Sequence, residues 1–423
     1  MYVKKSSRIR HFYKKNHNER LSILQRFANL TSEEINTLKN LNTLDFNSAN
    51  RMIENVVSTM PIPLGIATNF LINNKDYLIP MAIEEPSVIA AASSAAKLAR
   101  ISGGFIAQSS DPLMIGQIQL TKIKDLNKAK KEILKNKNEL LILANQQDSI
   151  LIQMGGGAKD IQVRILKTIT GKMLIVHLIV DVRDAMGANI INTMSEKIAP
   201  LLEELSNGIV SLRIVSNLPI QRIVKATAIW QKELIGEQTV DHIIDAYAFA
   251  LADPYRCATH NKGIMNGIDA VAIATGNDFR AIEAGAHAFA SLNKKYKPLT
   301  KYYKNKSGDL VGEIELPLAF GIIGGITQSH PTAKINLKIL NVKTSSELAQ
   351  IIASVGLAQN FAALRALVNE GIQKGHMKLH SRNIAITAGA QNEIIDLVAQ
   401  KMVKEKNISV QRAKELIKNY ANS

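Results

Sequence analysis

The sequence predicts an α/β (α+β) protein, in which a large, mostly helical α/β domain carries an inserted ferredoxin-like domain and ends in a C-terminal helical unit. The first observation is the order strand, helix, two strands, helix and strand within residues 109–217, which is typical of a βαββαβ sandwich. The second is that helix and strand patterns flank this stretch, at residues 1–108 and 218–374. The third is a helical, basic stretch over residues 375–423, which we expect to form a lid.

Chain length and cysteine content narrow the class of protein. The 423 residues are enough for two or three domains of about 150 residues each. The single cysteine, Cys257, excludes an intrachain disulfide and suggests the reducing cytoplasm. Apolar stretches such as Leu316 to Ile326 fall short of the ~20 residues that cross a bilayer, and no apolar core follows the basic N-terminus. We therefore expect a soluble cytoplasmic protein without a membrane partner.

The positive charge is high but scattered. Lysine and arginine number 52 against 36 acidic residues, a formal excess of +16. The basic residues concentrate at 1–20, 122–137, 294–306 and 401–418, without interleaved aromatic residues or a zinc-finger or RNA-binding signature. We therefore expect no nucleic-acid partner. Residues 122–137 have the spacing of a solvated helix face, and the alternative is a positive field that attracts a polyanionic small molecule, such as a nucleotide-containing cofactor.

The first hundred residues predict short helices and one strand. Thr31-Ser32-Glu33-Glu34 is a helix start, because the threonine and the glutamate three residues later can cap each other. Tyr77–Ile83 is an apolar strand. An alanine-rich helix should run from Pro86 to Arg100, since proline favours the first helical position, and Gly103-Gly104 should end it.

The inserted segment has a clear order of elements. They are a strand at Gly116–Leu120, a helix at Lys124–Ala144, strands at Ile161–Ile169 and Met173–Asp181, a helix at Gly187–Leu205 and a strand at Ile209–Val215. A turn at Thr170-Gly171-Lys172 joins the two middle strands. The glycines at 155–157 could let the backbone approach a phosphate or could form a flexible turn.

The richest polar segment follows the insertion. The predicted elements are helices at Gln221–Trp230 and Val240–Leu251, a polar loop at Asp253–Gly263, a buried strand at Ala270–Thr275 and a turn at Gly276-Asn277-Asp278. Because α/β folds expose functional side chains where strands end, Lys262 and Asp278 could meet at one site. Spacing alone equally allows a structural ion pair between them.

Several familiar motifs are missing from the sequence. GxGxxG, GxxxxGK[ST] and GxSxG strings do not occur. His376 and His380 stand four residues apart, but Met377 occupies the position where a zinc-protease motif needs glutamate, so we expect no metal. We expect His260 and His287 to make structural hydrogen bonds, the latter in the core.

Six segments resemble 3-hydroxy-3-methylglutaryl-CoA reductase. The segments are Glu54-Asn55-Val56-Val57, Met60-Pro61-Ile62-Pro63-Leu64-Gly65, Pro80-Met81-Ala82 with Glu85, Asp184-Ala185-Met186-Gly187-Ala188-Asn189, Thr275-Gly276-Asn277-Asp278 and Gly375-His376-Met377. The first three resemble the family's substrate-binding region, the fourth its cofactor signature and the last two its catalytic segments. Glu85-Pro86-Ser87, the ferredoxin-like insert and the lack of a membrane anchor resemble the bacterial class II branch. One departure is Gly321-Ile322-Ile323-Gly324-Gly325, where the family has a GTVGG-like string, so a threonine hydroxyl is lost.

The resemblance implies a four-electron reduction of 3-hydroxy-3-methylglutaryl-CoA to mevalonate and CoA in the isoprenoid route. Two hydride transfers from NADH or NADPH would pass through hemithioacetal and aldehyde stages, and the reverse direction stays open. Lys262 would stabilise the oxyanion, with Asp278 holding the lysine. His376 would protonate the departing thiolate, since imidazole titrates near neutrality, and Glu85 would supply a proton to the aldehyde.

The resemblance also assigns binding residues. It places Ser87, Arg256, Asn266 and Asn360 around the hydroxymethylglutaryl portion. Arg256 also makes independent chemical sense, because a guanidinium binds a carboxylate through two parallel hydrogen bonds. The alternatives are a surface salt bridge for Arg256, a helix cap for Ser87 and turn positions for the asparagines.

The resemblance assigns the non-Rossmann inserted domain to the nicotinamide cofactor. The residues are Asp148, Asp184, Met186, Gly187, Asn189 and Asn217. Asp148 favours NADH, because a carboxylate beside the adenosine ribose accepts hydrogen bonds from a 2′-hydroxyl and repels a 2′-phosphate. Against this preference, Lys159 could pair with a phosphate and Asp148 could cap a turn.

The resemblance further implies a homodimer, or an assembly of dimers, whose sites form across the interface. Gly371 and Gly375 could be hinges of a lid that carries His376. The alternatives are another CoA-thioester enzyme on the same scaffold and a basic, nucleic-acid-associated protein. Oxidation of a reduced nicotinamide by the CoA thioester would discriminate among them.

Overall fold

The computed structural model describes residues 5–41, 44–369, 381–391 and 393–421. The strands are β1 (Leu64–Ile72), β2 (Lys75–Ala82), β3 (Phe105–Ser109), β4 (Leu113–Thr121), β5 (Gly157–Thr168), β6 (Gly171–Asp181), β7 (Ile209–Ser216), β8 (Ile223–Trp230), β9 (Thr300–Lys304) and β10 (Leu310–Pro317). The helices are α1 (His17–Ala28), α2 (Ser32–Lys39), α3 (Phe46–Met52), α4 (Val88–Ala99), α5 (Leu126–Lys135), α6 (Lys137–Asn145), α7 (Ser149–Gln153), α8 (Ala188–Ser206), α9 (Lys232–Ile235), α10 (Glu237–Ala252), α11 (Pro254–Ala274), α12 (Phe279–Ala290), α13 (Ile326–Ser329), α14 (Pro331–Leu340), α15 (Ser345–Asn369), α16 (381–387), α17 (Glu393–Glu405) and α18 (Val410–Ala421). The fold is mixed α/β with two sheets.

The larger sheet has the strand order β2-β1-β3-β8-β10-β9. The β1–β2 hairpin turns at Asn73 and Asn74, whose φ angles of 47° and 62° are tolerated by asparagine and suit a tight hairpin. The chain leaves this sheet after β3 and returns at β8. There the Ser110 N–H donates to Ile223 O, and the Ile223 N–H donates to Ser110 Oγ, both at 2.9 Å.

Three helices, α4, α11 and α15, pack against this sheet around Trp230. The Trp230 ring is fully buried and stacks on Phe361 of α15, with 3.8 Å between ring centroids. Its indole N–H donates to Ala95 O of α4 at 3.1 Å. The core therefore buries a large apolar surface without leaving the indole nitrogen unsatisfied.

Among the described helices, α15 alone is long and apolar enough to cross a membrane. Its most apolar stretch is 67% buried within the protein, as expected of a core helix. The sequence analysis overlooked it, because Gln350 and Gln359 interrupt the apolar residues.

The smaller sheet has the strand order β5-β6-β4-β7, and every neighbouring pair is antiparallel. Helices α5, α6 and α8 pack against it over a core that includes Met114, Ile118, Leu178 and Leu202. The predicted strands and the second helix of this segment are confirmed. The predicted helix Lys124–Ala144 is instead two helices that meet at Asn136.

Three sequence predictions near the larger sheet are wrong. Gln221–Trp230 is not a helix: Val224, Ala226, Ala228 and Trp230 are buried at every second position, as in strand β8. Asp253–Gly263 is not a loop, and Ala270–Thr275 is not a strand. Both stretches lie in α11, which Asp253 caps by accepting from the Tyr255 N–H at 2.8 Å.

Two helix starts test the capping predictions. Thr31 and Glu34 form the predicted capping box at the start of α2. Helix α4, in contrast, begins at Val88, two residues beyond the predicted Pro86. Ser87 precedes it with a φ of 77°, in the left-handed region.

The C-terminal helices α16 to α18 share a small apolar core. It contains Ala385, Val398, Met402, Ala413 and Leu416. The chain after residue 380 is therefore helical where it is described. Gly371, Gly375 and His376 lie outside the described residues.

Candidate functional site

Helix α11 presents Lys262 and Asn266 on one face, because residues four apart lie one turn above each other. Both side chains meet Glu85, in the turn between β2 and α4. Lys262 Nζ lies 3.0 Å from Glu85 Oε2, and Asn266 Nδ2 donates to the same oxygen at 3.3 Å. The Lys262 side chain is 61% exposed and that of Glu85 34% exposed, so a substrate can reach the cluster. It combines a cation, a carboxylate and an amide on rigid elements.

Ser87 stands two residues beyond Glu85 at the start of α4. Its Oγ is buried and has no hydrogen-bond partner among the residues that the structure describes. It does not cap α4, so the helix-cap alternative is wrong. A left-handed serine with a buried, unsatisfied hydroxyl is unfavourable for stability, and such strain is typical of binding sites.

Arg256 lies nearly two turns before Lys262 on α11. It is half-buried, and burial lowers the pKa of its guanidinium, with no described carboxylate opposing that effect. Arg256 therefore forms no salt bridge with a described residue, and the surface salt-bridge alternative does not hold for that part of the chain. A partly desolvated guanidinium without a carboxylate partner is suited to bind an anionic ligand.

Asp278 is not paired with Lys262. It caps α12, where its Oδ1 accepts from the N–H groups of Arg280 and Ala281 at 3.1 and 3.2 Å, and the Arg280 guanidinium lies 3.2 Å away. The predicted contact is missing because Lys262 is 12 residues before the end of α11, which is about 18 Å along the helix axis.

Asn360 and His260 belong to a buried polar network. Asn360 Oδ1 accepts from Thr300 Oγ1 and from Tyr302 OH, both at 2.9 Å, while its amide donates to His260 O at 3.2 Å. Since the Thr300 hydroxyl donates to Asn360, it accepts from His260 Nε2, 2.6 Å away. Burial, then the positive charge of Arg256, lower the pKa of His260 to about 3. The structural hydrogen bond predicted for His260 is confirmed, whereas substrate contact by Asn360 stays a prediction.

The predicted cofactor residues surround the loop before α8. Asp184 Oδ1 accepts from the Ser345 N–H at 2.7 Å, and Gly187 precedes α8 with a φ of 101°. Met186 and Asn217 line one small cavity together with Pro219 and Ile282. Asn189 is exposed in the first turn of α8.

A second cofactor segment lies beside this loop. Asp148 caps α7 by accepting from the Leu151 N–H at 2.8 Å, as the turn-cap alternative expected. Lys159 Nζ donates to Gly155 O at 2.9 Å, and Arg183 Nη2 donates to the same oxygen at 2.7 Å. The helix that Asp148 caps leads into the glycine turn, and Arg183, next to Asp184, bonds to that turn, so the two predicted cofactor segments are neighbours.

Within the described residues, no group of three or more His, Cys, Asp or Glu side chains could hold a metal ion. His376 and His380 lie outside those residues. His287 is half-exposed rather than in the core, and its ring nitrogens contact Glu283 Oε2 at 2.6 Å and Tyr296 OH at 2.7 Å.

Comparison with known proteins identifies the family. The family model for hydroxymethylglutaryl-coenzyme A reductase matches residues 16–381. The chain belongs to the hydroxymethylglutaryl-coenzyme A reductase family. The 3-hydroxy-3-methylglutaryl-coenzyme A reductase of Archaeoglobus fulgidus is 58% identical over 97% of this chain and 94% of its own length. A probable reductase of Borreliella burgdorferi is 36% identical over 88% of both chains.

Solved reductase structures share the fold. A class II reductase from Streptococcus pneumoniae, described as bound to NADPH in open conformations, superposes with a TM-score of 0.82 at 41% identity, covering 96% of this chain and 100% of that one. Another structure from the same organism has a TM-score of 0.83 at 40% identity, over 97% and 99% of the two chains. The chain is thus an oxidoreductase, and its fold is similar to that of class II reductases.

Where the sequence departs from the reductase family's GTVGG-like string, the backbone makes two hydrogen bonds. The Gly321 N–H donates to Asn277 Oδ1 at 2.8 Å, and the Ile322 N–H donates to Asp184 O at 2.9 Å. Neither bond needs a hydroxyl, so isoleucine is compatible with both.

Sequence analysis missed Asp269 and Arg222. Asp269 follows Asn266 by three residues on α11, a spacing that could have revealed it. Burial, then the neighbouring Glu283 carboxylate, raise the pKa of Asp269, whereas the hydrogen bond from His287 lowers that of Glu283, so Asp269 is the protonated carboxyl of the pair. Arg222 is an isolated arginine with no sequence signal, and its contacts appear only in the folded chain.

Proposed function

We propose that this protein reduces 3-hydroxy-3-methylglutaryl-CoA to mevalonate and CoA, with two equivalents of NADH or NADPH. The family supports the NADPH-dependent reduction, and the contact of Lys262 with Glu85 and Asn266 carries the assignment of the site. Arg256, which lacks a carboxylate partner among the described residues, suits the free carboxylate of the substrate. The buried Ser87 hydroxyl is available for a substrate oxygen.

The smaller unit, residues 109–217, is the proposed nicotinamide domain. No described side chain caps α8, and only glycine fits before it, because a Cβ at Gly187 would lie 2.5 Å from Val182 Cγ1. An uncapped helix N-terminus offers free N–H groups to a pyrophosphate. Asp184, Met186, Gly187, Asn189 and Asn217 would hold the cofactor, and a reduced nicotinamide bound there would supply one hydride in each of the two reductions.

The chain's own residues would handle charge and protons. Lys262 stabilises the oxyanion that develops on the thioester carbonyl, which lowers the barrier because the ammonium is already in place. The tetrahedral hemithioacetal then loses CoA thiolate, which His376 protonates. In the second reduction, the carbonyl oxygen of the aldehyde receives its proton from Glu85, whose contact with Lys262 keeps both groups at one oxygen. Asp278 and Asn360 enter this scheme through the family resemblance alone.

The deciding experiment measures stoichiometry. Purified protein should oxidise two nicotinamides per mevalonate formed, followed by the near-ultraviolet absorbance of the reduced cofactor. Release of CoA without nicotinamide oxidation would refute the proposal and favour another CoA-thioester enzyme. Lys262→Ala should lower kcat by about 100-fold or more with the fold retained. Lys97→Ala, at an exposed position on α4, is the matched control and should leave kcat unchanged.

Asp148 is proposed to favour NADH. Its Oδ1 accepts from Leu151, which leaves the second carboxylate oxygen for a ribose hydroxyl. Lys159 Nζ donates to Gly155 O, and Arg183 donates to the same oxygen and pairs with Asp181 at 2.8 Å, so both cations already have partners within the chain. The Streptococcus pneumoniae reductase is described as bound to NADPH, so the preference of this chain is tested by measuring kcat/KM with both cofactors.

A homodimer is the proposed active unit, located in the cytoplasm. Lys262 and the end of α11 are about 18 Å apart along the axis, so Lys262 and Asp278 can serve one reaction if one of them comes from a second copy. Co-refolding inactive Lys262→Ala with inactive Asp278→Asn should then restore activity. A fully active monomer in sedimentation would overturn this.

The C-terminal helices are proposed to act as a lid that carries His376 and excludes water from the aldehyde stage. A chain truncated after Lys374 should bind the CoA thioester but not turn it over. Equal hydrogen exchange of α16 to α18 with and without both ligands would refute the lid.

A further inference from the structure

Arg222 is a buried arginine between the two sheets. It stands just before β8 and is 4% exposed. Its Nη1 donates to Ala185 O at 3.2 Å, and its Nη2 donates to Phe320 O and to Ser345 Oγ, the latter at 3.1 Å. One guanidinium therefore joins three segments that are far apart in sequence.

The three segments are also bonded to each other. Asp184 O accepts from the Ile322 N–H at 2.9 Å, and Asp184 Oδ1 accepts from the Ser345 N–H at 2.7 Å. The Ser345 hydroxyl donates to Arg183 O at 2.9 Å. Ser345 and the Ile322 backbone therefore hold the loop before α8 at Arg183 and Asp184. Arg222 holds the same loop at Ala185 and also bonds to Ser345 and to Phe320, the latter two residues before Ile322.

This network extends to the turn between α11 and α12. A Cβ at Gly321 would lie 2.7 Å from Met186 N, so the two backbones are in contact. The Gly321 N–H also donates to Asn277 Oδ1 at 2.8 Å, next to Asp278 at the start of α12. A shift of the Asp184 loop would therefore change its distance from the α11–α12 turn.

Arg222 remains a cation at neutral pH. Burial lowers its pKa to about 10, while the carboxylates of Asp184 and Asp181 oppose that effect. A buried charge is costly unless its partners are fixed, so all of its acceptors are held in one arrangement. A lysine would keep the charge but lacks the planar fork that reaches three oxygens.

We propose that Arg222 is a positioning residue, which sets the place of the Asp184–Gly187 loop relative to the α11–α12 turn and thereby controls nicotinamide binding. The inference rests on the proposed function for the identity of the ligand. It predicts a selective defect, because Arg222 reaches the cofactor loop but not the Glu85–Lys262–Asn266 cluster. A merely structural arginine would weaken the binding of both ligands together.

The test compares two buried arginines. Arg100, at 16% side-chain exposure, pairs with Asp76 at 2.8 Å in the larger domain, and Arg100→Lys is the matched control. Calorimetric titration measures NADPH and the CoA thioester separately with the parent and each variant. Arg222→Lys should weaken NADPH binding by about 10-fold or more, as loop displacement does, with thioester affinity within about twofold. Arg100→Lys should lower Tm without this selectivity.

A second variant tests the proposal even if Arg222→Lys fails to fold. Ser345→Ala removes one acceptor of Arg222 and one bond to Arg183, and should give a smaller defect with the same selectivity. Equal loss of both ligands in Arg222→Lys, or the same selective loss in Arg100→Lys, would overturn the proposal. A parent protein that binds NADPH but reduces the thioester with neither NADH nor NADPH would refute the proposed function, while the affinity ratios would still decide the role of Arg222.

Discussion

Acid should destabilise this protein through His260, a buried imidazole one turn from Arg256 on α11. The side chain is 1% exposed, and its Nε2 donates to Thr300 within the network that holds Asn360. Its pKa is about 3 in the folded chain, and an unfolded histidine titrates near 6.5. Between these values the unfolded chain binds a proton that the folded chain does not. Stability is therefore lost as pH falls from about 6.5 toward 3.

The size of the effect follows from the two pKa values. At pH 7.5 neither state is protonated at His260, whereas at pH 5 the unfolded imidazole is almost fully charged. The linkage relation then gives a loss of about 2 kcal/mol on going from pH 7.5 to 5. His260→Gln retains an amide that can donate to Thr300 but cannot titrate. The variant should lose about 2 kcal/mol less than the parent over this interval, whatever its stability at pH 7.5.

Two measurements check this. Urea unfolding at several pH values compares the slopes of parent and variant, with His242→Gln, at an exposed position on α10, as the matched control. In isotope-labelled protein, the imidazole resonance that disappears in His260→Gln should keep its neutral position down to pH 5. Parallel stability slopes, or a resonance that titrates near pH 6.5, would show that His260 is not held neutral.

Three further outcomes are expected. Asp269→Asn should be the more stable form at alkaline pH, because the folded parent holds a proton at Asp269 that the unfolded chain releases above the ordinary carboxyl range, so that the stability of the parent falls as the pH rises toward the raised pKa of Asp269; equal slopes of Tm against pH in parent and variant between pH 5 and 9 would contradict it. Trp230→Ala should lower the free energy of unfolding, measured by circular dichroism, by about 3–5 kcal/mol. Trp230→Phe should lower it clearly less, because phenylalanine can still stack on Phe361; equal losses in the two variants would contradict the stacking explanation. Asp148→Asn should shift the ratio of kcat/KM toward NADPH by about 10-fold, from the loss of charge repulsion near a 2′-phosphate; a parent that already prefers NADPH, or an unmoved ratio, would exclude Asp148.

The inserted segment shows what sequence periodicity can predict. Strand β4 alternates buried and partly exposed residues from Gly116 to Thr121, and α8 has a long apolar face, as the pattern predicts. Strand β6, in contrast, is buried at every position from Leu174 to Asp181, and β7 has no buried residue. The same reasoning failed at β8, because Ile223–Trp230 has alanines that suit a helix equally well. It failed at α11 because His260, Asn261 and Lys262 are polar, and their partners lie on other elements.

The site could be predicted in composition but not in contacts. Motifs indicated Glu85, Lys262 and Asn266, which do meet. They also suggested a Lys262–Asp278 pair, which the length of α11 prevents within one chain. A motif specifies residue types along the sequence, whereas helix length decides which side chains are neighbours. Arg222 owes its environment to burial between segments that are far apart in sequence, which no local pattern reveals.

The adjacency of Ser110 and Ile223 has a consequence for how such proteins diversify. Ser110 follows β3 and Ile223 begins β8, so the points where the chain leaves and re-enters the larger sheet are hydrogen-bonded neighbours, and β3 pairs directly with β8 beside them. A short linker could therefore close the gap at little entropic cost, since closing a short loop between adjacent ends loses few conformations. A domain of different origin could therefore be inserted at the same two residues without interrupting a strand. Such an insertion would have to rebuild the contacts around Asp184, whose Oδ1 accepts from the Ser345 N–H and whose neighbour Met186 packs against Gly321.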